Sequence, residues 1–127
     1  MKHLALVVAG GTAGTLARHG VGEWLDPDRV IPLGTFVVNV TGSFLLGALL
    51  AVLLLRDRDD HRRRDGRLLL GTGFLGGYTT YSALAVETGT LLRDDRVALA
   101  LTYAAGSVAA GLLAALVGIA TGRWATR

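Results

Sequence analysis

Four apolar segments, at residues 4–21, 32–55, 68–92 and 97–120, take up most of the 127-residue chain. A helix of about 20 apolar residues crosses a hydrocarbon core of about 30 Å, and each segment approaches or exceeds that length. Only the short polar stretches EWLDPDRV, RDRDDHRRRDGR and RDDR separate them. A chain this long is one domain, residues 1–127, with no room for a separate soluble catalytic domain. The expected fold is therefore an all-α integral membrane protein with four transmembrane helices. The first segment, behind Lys2 and His3, also has the outline of a signal peptide, but nothing after it reads as a soluble mature domain. The 18 glycines suit helices whose backbones approach closely in lipid. No cysteine is present, which excludes disulfides and thiolate metal sites.

Charge location fixes an expected orientation. Four spans put both termini on the same side as the middle loop. That side carries nine cations: Lys2, Arg56, Arg58, Arg62, Arg63, Arg64, Arg67, Arg123 and Arg127. The other side has four, Arg18, Arg29, Arg93 and Arg96. Cytoplasmic loops collect Lys and Arg, so both termini are expected in the cytoplasm. The basic run 61–64 could bind anionic lipid or nucleic acid. A solvated turn that sets topology is the simpler reading, and no nucleic-acid partner is expected.

Polar side chains recur inside the spans. In PLGTFVVNVTGSFLLG, Thr35, Asn39, Gly42, Ser43 and Leu46 share one helix face. An amide at that depth faces either another helix or a cavity. Asn39-Val40-Thr41 also spells a glycosylation sequon, but it sits within an apolar span. In the fourth segment Tyr103, Ser107 and Gly111 fall on one stripe, as packing groups or as a pathway.

The third segment holds the oddest stretch, GFLGGYTTYS at 73–82. Gly71, Gly73 and Gly76 match the dinucleotide-binding spacing, with Asp94 further on. That fingerprint requires a strand before it and a soluble βαβ unit around it, and neither is legible here. Gly76-Gly77 followed by Thr79-Thr80 weakens the helix near the bilayer midplane, so a break is expected. Irregular backbone at that depth must be buried in protein or line a watery path. Freed carbonyls in broken transmembrane helices hold Na⁺, and such a cation can steady a passing anion. Thr79, Thr80 and Ser82 offer hydroxyl donors, and Tyr78 and Tyr81 offer positive ring edges. Glu87, nearer the outer end, could relay protons or pair with a donor, and pairing is the favoured reading. The stretch thus reads as an ion site.

With those residues in view, the sequence resembles the Fluc (CrcB) family of bacterial fluoride channels. The resemblance rests on GGTAGTLARHG, PLGTFVVNVTGSFLLG and GTGFLGGYTTYSALAVETGTLL, with a weaker match at LTYAAGSVAAGLL. It implies passive fluoride export through an antiparallel dimer with two pores at the subunit interface. It also implies a structural, non-transported Na⁺ held by the backbone carbonyls of Gly76 and Thr79. Asn39 corresponds to the pore asparagine, with Thr35 one turn earlier. Tyr103 and Ser107 fall on the hydroxyl track of the fourth helix. Arg18 matches the arginine closing the first helix, and Glu87 the glutamate after the break. The family's T-T-F-S-T-F reads TTYSAL here, so Tyr81 and Leu84 take the two aromatic positions. Leu84 has no ring quadrupole. A chain that inserts both ways should show little charge bias. The bias and Leu84 together favour a heterodimer with an oppositely oriented paralogue over a dual-topology homodimer.

Other classes fit less well. A small proton-coupled multidrug transporter needs a carboxylate in its first span, and none is present. A non-conducting subunit of a heterodimeric fluoride channel remains an alternative within the family. An assembly factor would need no polar stripe on three helices. No pair of titratable groups converges at depth, so no enzyme is expected.

Overall fold

The computed structural model describes residues 1–25, 32–54 and 61–126. Arg29, Arg56, Arg58 and Arg127, which enter the charge bias, lie outside the described residues, as does Leu55, the expected end of the second span. The described chain is helical: α1 (Lys2–Leu25), α2 (Leu33–Leu54), α3 (His61–Gly66), a π-helix (Arg67–Leu75), α4 (Gly76–Tyr78), α5 (Tyr81–Arg93) and α6 (Val97–Trp124). The π-helix, α4 and α5 cover the expected third span, residues 68–92, with an interruption at Thr79 and Thr80, and the charged α3 precedes it.

Length and surface both point to a bilayer. Among the described residues, Leu33–Leu53 and Val97–Trp124 are each long and apolar enough to cross a membrane, and little of either is buried. At about 1.5 Å per residue, the 28 residues of α6 extend about 42 Å. Its Leu112, Leu113, Leu116 and Val117 are exposed, whereas the polar Ser107 is only 4% exposed. Apolar outside and polar inside reverses the pattern of a protein stable in water.

Backbones meet directly at two seams. Along the first, α1 lies on the π-helix and α4. A Cβ at Gly14 would fall on the carbonyl of Phe74, and one at Gly77 on the carbonyl of Gly11. Gly10 and Gly73 approach so closely that a Cβ on Gly73 would lie 3.0 Å from the Gly10 Cα. Along the second seam α2 lies on α6, where a Cβ at Gly118 would strike the Phe44 carbonyl and one at Gly47 the Ala115 carbonyl. Gly10 and Gly14, Gly73 and Gly77, and Gly118 and Gly122 are each four apart, the spacing that lets helices in lipid touch along one face.

Tertiary contacts change across the break. The π-helix and α4 pack mainly on α1, while α5 packs mainly on α6. Leu84 and Leu91 of α5 join Ala100 and Tyr103 of α6 in the buried cluster, with Phe36 against it. α5 ends in a left-handed residue, Asp95 at φ 57°, after which the Arg96 N–H bonds the Leu91 carbonyl at 2.9 Å. That closure satisfies a carbonyl the helix end would otherwise orphan and turns the chain into α6.

Candidate functional site

The break falls at the threonines, one turn later than the glycine pair alone would suggest. Gly76 and Gly77 stay helical, and Gly77 is there to let α1 approach. Thr79 is extended at φ −83°, ψ 156°. Thr80 is extended too, at φ −151°, ψ 122°, and caps α5 by accepting the Ala83 N–H on Oγ1 at 3.2 Å. β-Branched residues favour such extended geometry, and a Thr hydroxyl is a good N-cap acceptor.

Asn39 of α2 braces the break from the side. Its Oδ1 accepts the Thr80 N–H at 2.7 Å, and its Nδ2 donates to the Thr80 carbonyl at 2.8 Å. One amide N–H of Asn39 is left over, because the group has two donors. The pairing also accounts for two of the carbonyls that the break releases. In an unbroken helix the Thr80 N–H would bond the Gly76 carbonyl, and the Ala83 N–H would bond the Thr79 carbonyl. Asn39 takes the first donor and Thr80 Oγ1 takes the second. The carbonyls so deprived of helical partners belong to Gly76 and Thr79. Neutral carbonyl oxygens suit a hard monovalent cation. Gly76 is exposed on this single chain.

An open cleft of about 390 Å³ lies beside the break. Asn39, Thr79, Thr80, Tyr81, Leu84 and Ser107 all contribute to its wall. Ser107 Oγ is buried and has no hydrogen-bond partner among the described residues. A buried hydroxyl without a partner is uncommon and calls for an occupant, such as a water or an ion. The leftover Asn39 N–H belongs to the same wall. Leu84 is shared, since it packs in the chain's own core at 6% exposure. Tyr81, the other aromatic-box position, is 80% exposed and reaches away from the bundle. Ser82 Oγ lies 3.1 Å from Thr80 Oγ1, close to the cap.

Three further candidates form a separate cluster towards the start of α6. Thr35 Oγ1 donates to Glu87 Oε1 at 2.6 Å, and Tyr103 Oη donates to Glu87 Oε2 at 2.7 Å. The Pro32 carbonyl lies 3.3 Å from the same hydroxyl. Glu87 thus ties α2, α5 and α6 together through its carboxylate. Arg18, on α1, has no hydrogen bond or ion pair to either group among the described residues. Sequence reasoning did not identify the bracing role of Asn39 or the cap at Thr80. A Thr two residues ahead of Ser-Ala was a cap signal that could have been read; the Asn39 pairing spans 41 residues and left no local trace.

The chain matches known proteins over most of its length. Residues 5–119 match the family model described as CrcB-like protein, Camphor Resistance (CrcB). The fluoride-specific ion channel FluC 2 of Leifsonia xyli subsp. xyli is 48% identical over 121 residues, covering 95% of this chain and 83% of that protein. FluC 2 of Moorella thermoacetica is 45% identical over 115 residues, covering 88% of this chain and 89% of the relative. FluC of Oceanobacillus iheyensis is 36% identical over 119 residues, covering 94% and 90%.

Proposed function

The chain belongs to the CrcB family, and from that membership we propose a fluoride-selective channel that lowers cytoplasmic fluoride by passive export. It is a membrane protein and not an enzyme. The observation that carries the reading to this chain's own residues is the unpartnered, buried hydroxyl of Ser107 in a cleft walled by Asn39 and Thr80. Fluoride is small and strongly hydrated, so a selective path must replace its water with close donors and keep a bore too narrow for chloride. Hydroxyl, amide and ring-edge donors do this without a fixed cation that would trap the ion. Ser107 supplies a hydroxyl, Asn39 has its spare N–H, and Tyr81 has an aromatic edge with a hydroxyl added. Thr80 and Ser82 have one hydroxyl proton between them beyond their mutual bond, whereas Thr35 and Tyr103 would reach the ion only by giving up Glu87.

A structural Na⁺ fits the same reading. Gly76 and Thr79 would hold it through their carbonyls, which the bonding of Thr80 and Ala83 leaves without helical donors. Bound there, the ion supplies fixed positive charge in a medium of low dielectric. Asn39 would position that pair of carbonyls by keeping the Thr80 N–H occupied.

The exposed face around Gly76 and Tyr81 supports pairing with a second subunit in antiparallel orientation, four spans from each. We take the partner to be an oppositely oriented paralogue, because the charge bias fixes one orientation for this chain. Lys2 Nζ lies 2.6 Å from Asp65 Oδ2, so the start of α1 and the basic start of the third span share one end of the bundle. We take that end to be the cytoplasmic one, with both termini inside, on the strength of the charge bias. Expression in a bacterium lacking its fluoride exporter tests the reading. Resistance is expected when this chain is made with its paralogue. Resistance from this chain alone would show a homodimer, and none in either case would contradict the channel.

A further inference from the structure

Near the basic end, α2 and the π-helix diverge around an open cleft of about 270 Å³. Leu46, Leu49 and Leu50 form one wall, and Arg67, Gly71 and Thr72 the other. We propose that this cleft holds one anionic phospholipid, with an acyl chain along the three leucines and its phosphate on Arg67 and Thr72. The proposal rests on the membrane placement of the chain and not on which ion it conducts.

The π geometry makes the polar wall. Bonding from i to i+5 brings residues five apart close to one face, whereas an α-helix would turn them well away from each other. Arg67 and Thr72 are five apart, at the start of a nine-residue π-helix. Gly71 keeps the cleft open between them. A Cβ there would already lie 3.7 Å from the Leu49 Cδ2, so any larger side chain would fill the space.

Charge selects the occupant. Arg67 precedes Leu68-Leu69-Leu70, so its guanidinium sits where the span enters hydrocarbon. Among the described residues no carboxylate pairs with it, and Asp65, the acid nearest in sequence, is held by Lys2. A cation at that boundary is stabilised by a phosphate at headgroup level. Arg62, Arg63 and Arg64 precede it on α3. They disfavour the choline of a zwitterionic lipid and favour a headgroup with net negative charge. A soluble phosphate would satisfy Arg67 but leave the leucine wall unfilled.

The protein is reconstituted in vesicles of phosphatidylcholine and phosphatidylglycerol, re-extracted in mild detergent, and its retained lipid counted by native mass spectrometry. Wild-type protein should carry phosphatidylglycerol several-fold above the vesicle ratio. Arg67→Gln should return that ratio to the vesicle's, and Thr72→Val should lower it part of the way. Gly71→Leu, which leaves charge unchanged, should expel the lipid by filling the cleft. It also serves if Arg67→Gln does not fold. Arg123→Gln, at the exposed end of α6, should change nothing. Enrichment that survives Arg67→Gln and Gly71→Leu would overturn the proposal, as would equal losses in Arg67→Gln and Arg123→Gln. Displacement of the lipid by glycerophosphate at equal concentration would overturn it in favour of a bare phosphate site. Unchanged lipid with slowed fluoride efflux in Arg67→Gln would instead assign Arg67 to the ion path.

Discussion

Residues 67–78 lie against α1 with backbone on backbone, whereas Tyr81–Arg93 is tied to α2 and α6 by side-chain oxygens. Shape holds the first half of the third span. Gly10, Gly14, Gly73 and Gly77 allow an approach that no side chain would permit. Chemistry holds the second half, through Glu87 between Thr35 and Tyr103 and through the Thr80 cap. Asn39 stands at the junction, bonded to Thr80 on both its N–H and its carbonyl. The difference teaches where function can reside. A seam of glycines leaves no polar side chain to spare, while the break leaves carbonyls, and α6 beside it the Ser107 hydroxyl, that the described fold does not consume.

Breaking the glycine seam should have the largest effect. Gly14→Leu drives a side chain onto the Phe74 carbonyl. Overpacking of this kind costs about 3 kcal/mol, so the variant should aggregate on size exclusion. Gly20→Leu is the control on the same helix, because nothing lies within 4 Å of the Cβ it would carry. It should elute as wild type.

Loosening the junction comes next. Asn39→Ala leaves the Thr80 N–H and carbonyl without their partner, a loss of about 2 kcal/mol. With Asn39 gone, the Thr80 N–H can return to the Gly76 carbonyl. Fluoride efflux should therefore fall and lose its dependence on Na⁺, which measurement in Na⁺ and in Na⁺-free medium would show. A variant that melts lower yet keeps full Na⁺-dependent flux would reduce Asn39 to a packing residue.

The chemistry of the second half is sharpened by Ser107→Ala. Its hydroxyl has no partner among the described residues, so thermal stability should change by less than about 0.5 kcal/mol. Efflux should nevertheless slow several-fold, a split that a purely structural serine would not produce.

The smallest effect belongs to the tether just ahead of the first half. Asp65 is held below the ordinary carboxylate range chiefly by its hydrogen bond from Lys2, with His3 and His61 adding to it. Because the folded value is depressed, the tether's contribution is present above the unfolded pKa, near 3.9, and is lost as pH falls through the lower folded value. Amide exchange at the start of α1 should speed up only in that acid window. Asp65→Asn should show the faster exchange at neutral pH.

Much of this was legible in the sequence. Segment lengths gave four helices' worth of apolar chain, and the periodicity put Asn39 and Ser43 on one face and Tyr103 and Ser107 on another. The weak point around 76–80 was readable from propensity. The π-helix was not, because Arg67–Leu75 carries the same apolar pattern an α-helix would. Nor was the split of duties within the weak point, where glycines serve packing and threonines make the break. The partners of Glu87 and Asn39 come from other helices, 52 and 41 residues away for Thr35 and Thr80, so only the packed bundle brings them together.

Fluoride efflux from liposomes tests the central claim most directly, with this chain alone and with its oppositely oriented paralogue, in Na⁺ and in Na⁺-free medium. The expected result is fast efflux from the pair that requires Na⁺ and excludes chloride. Efflux absent from both preparations, or as fast for chloride as for fluoride, would contradict it.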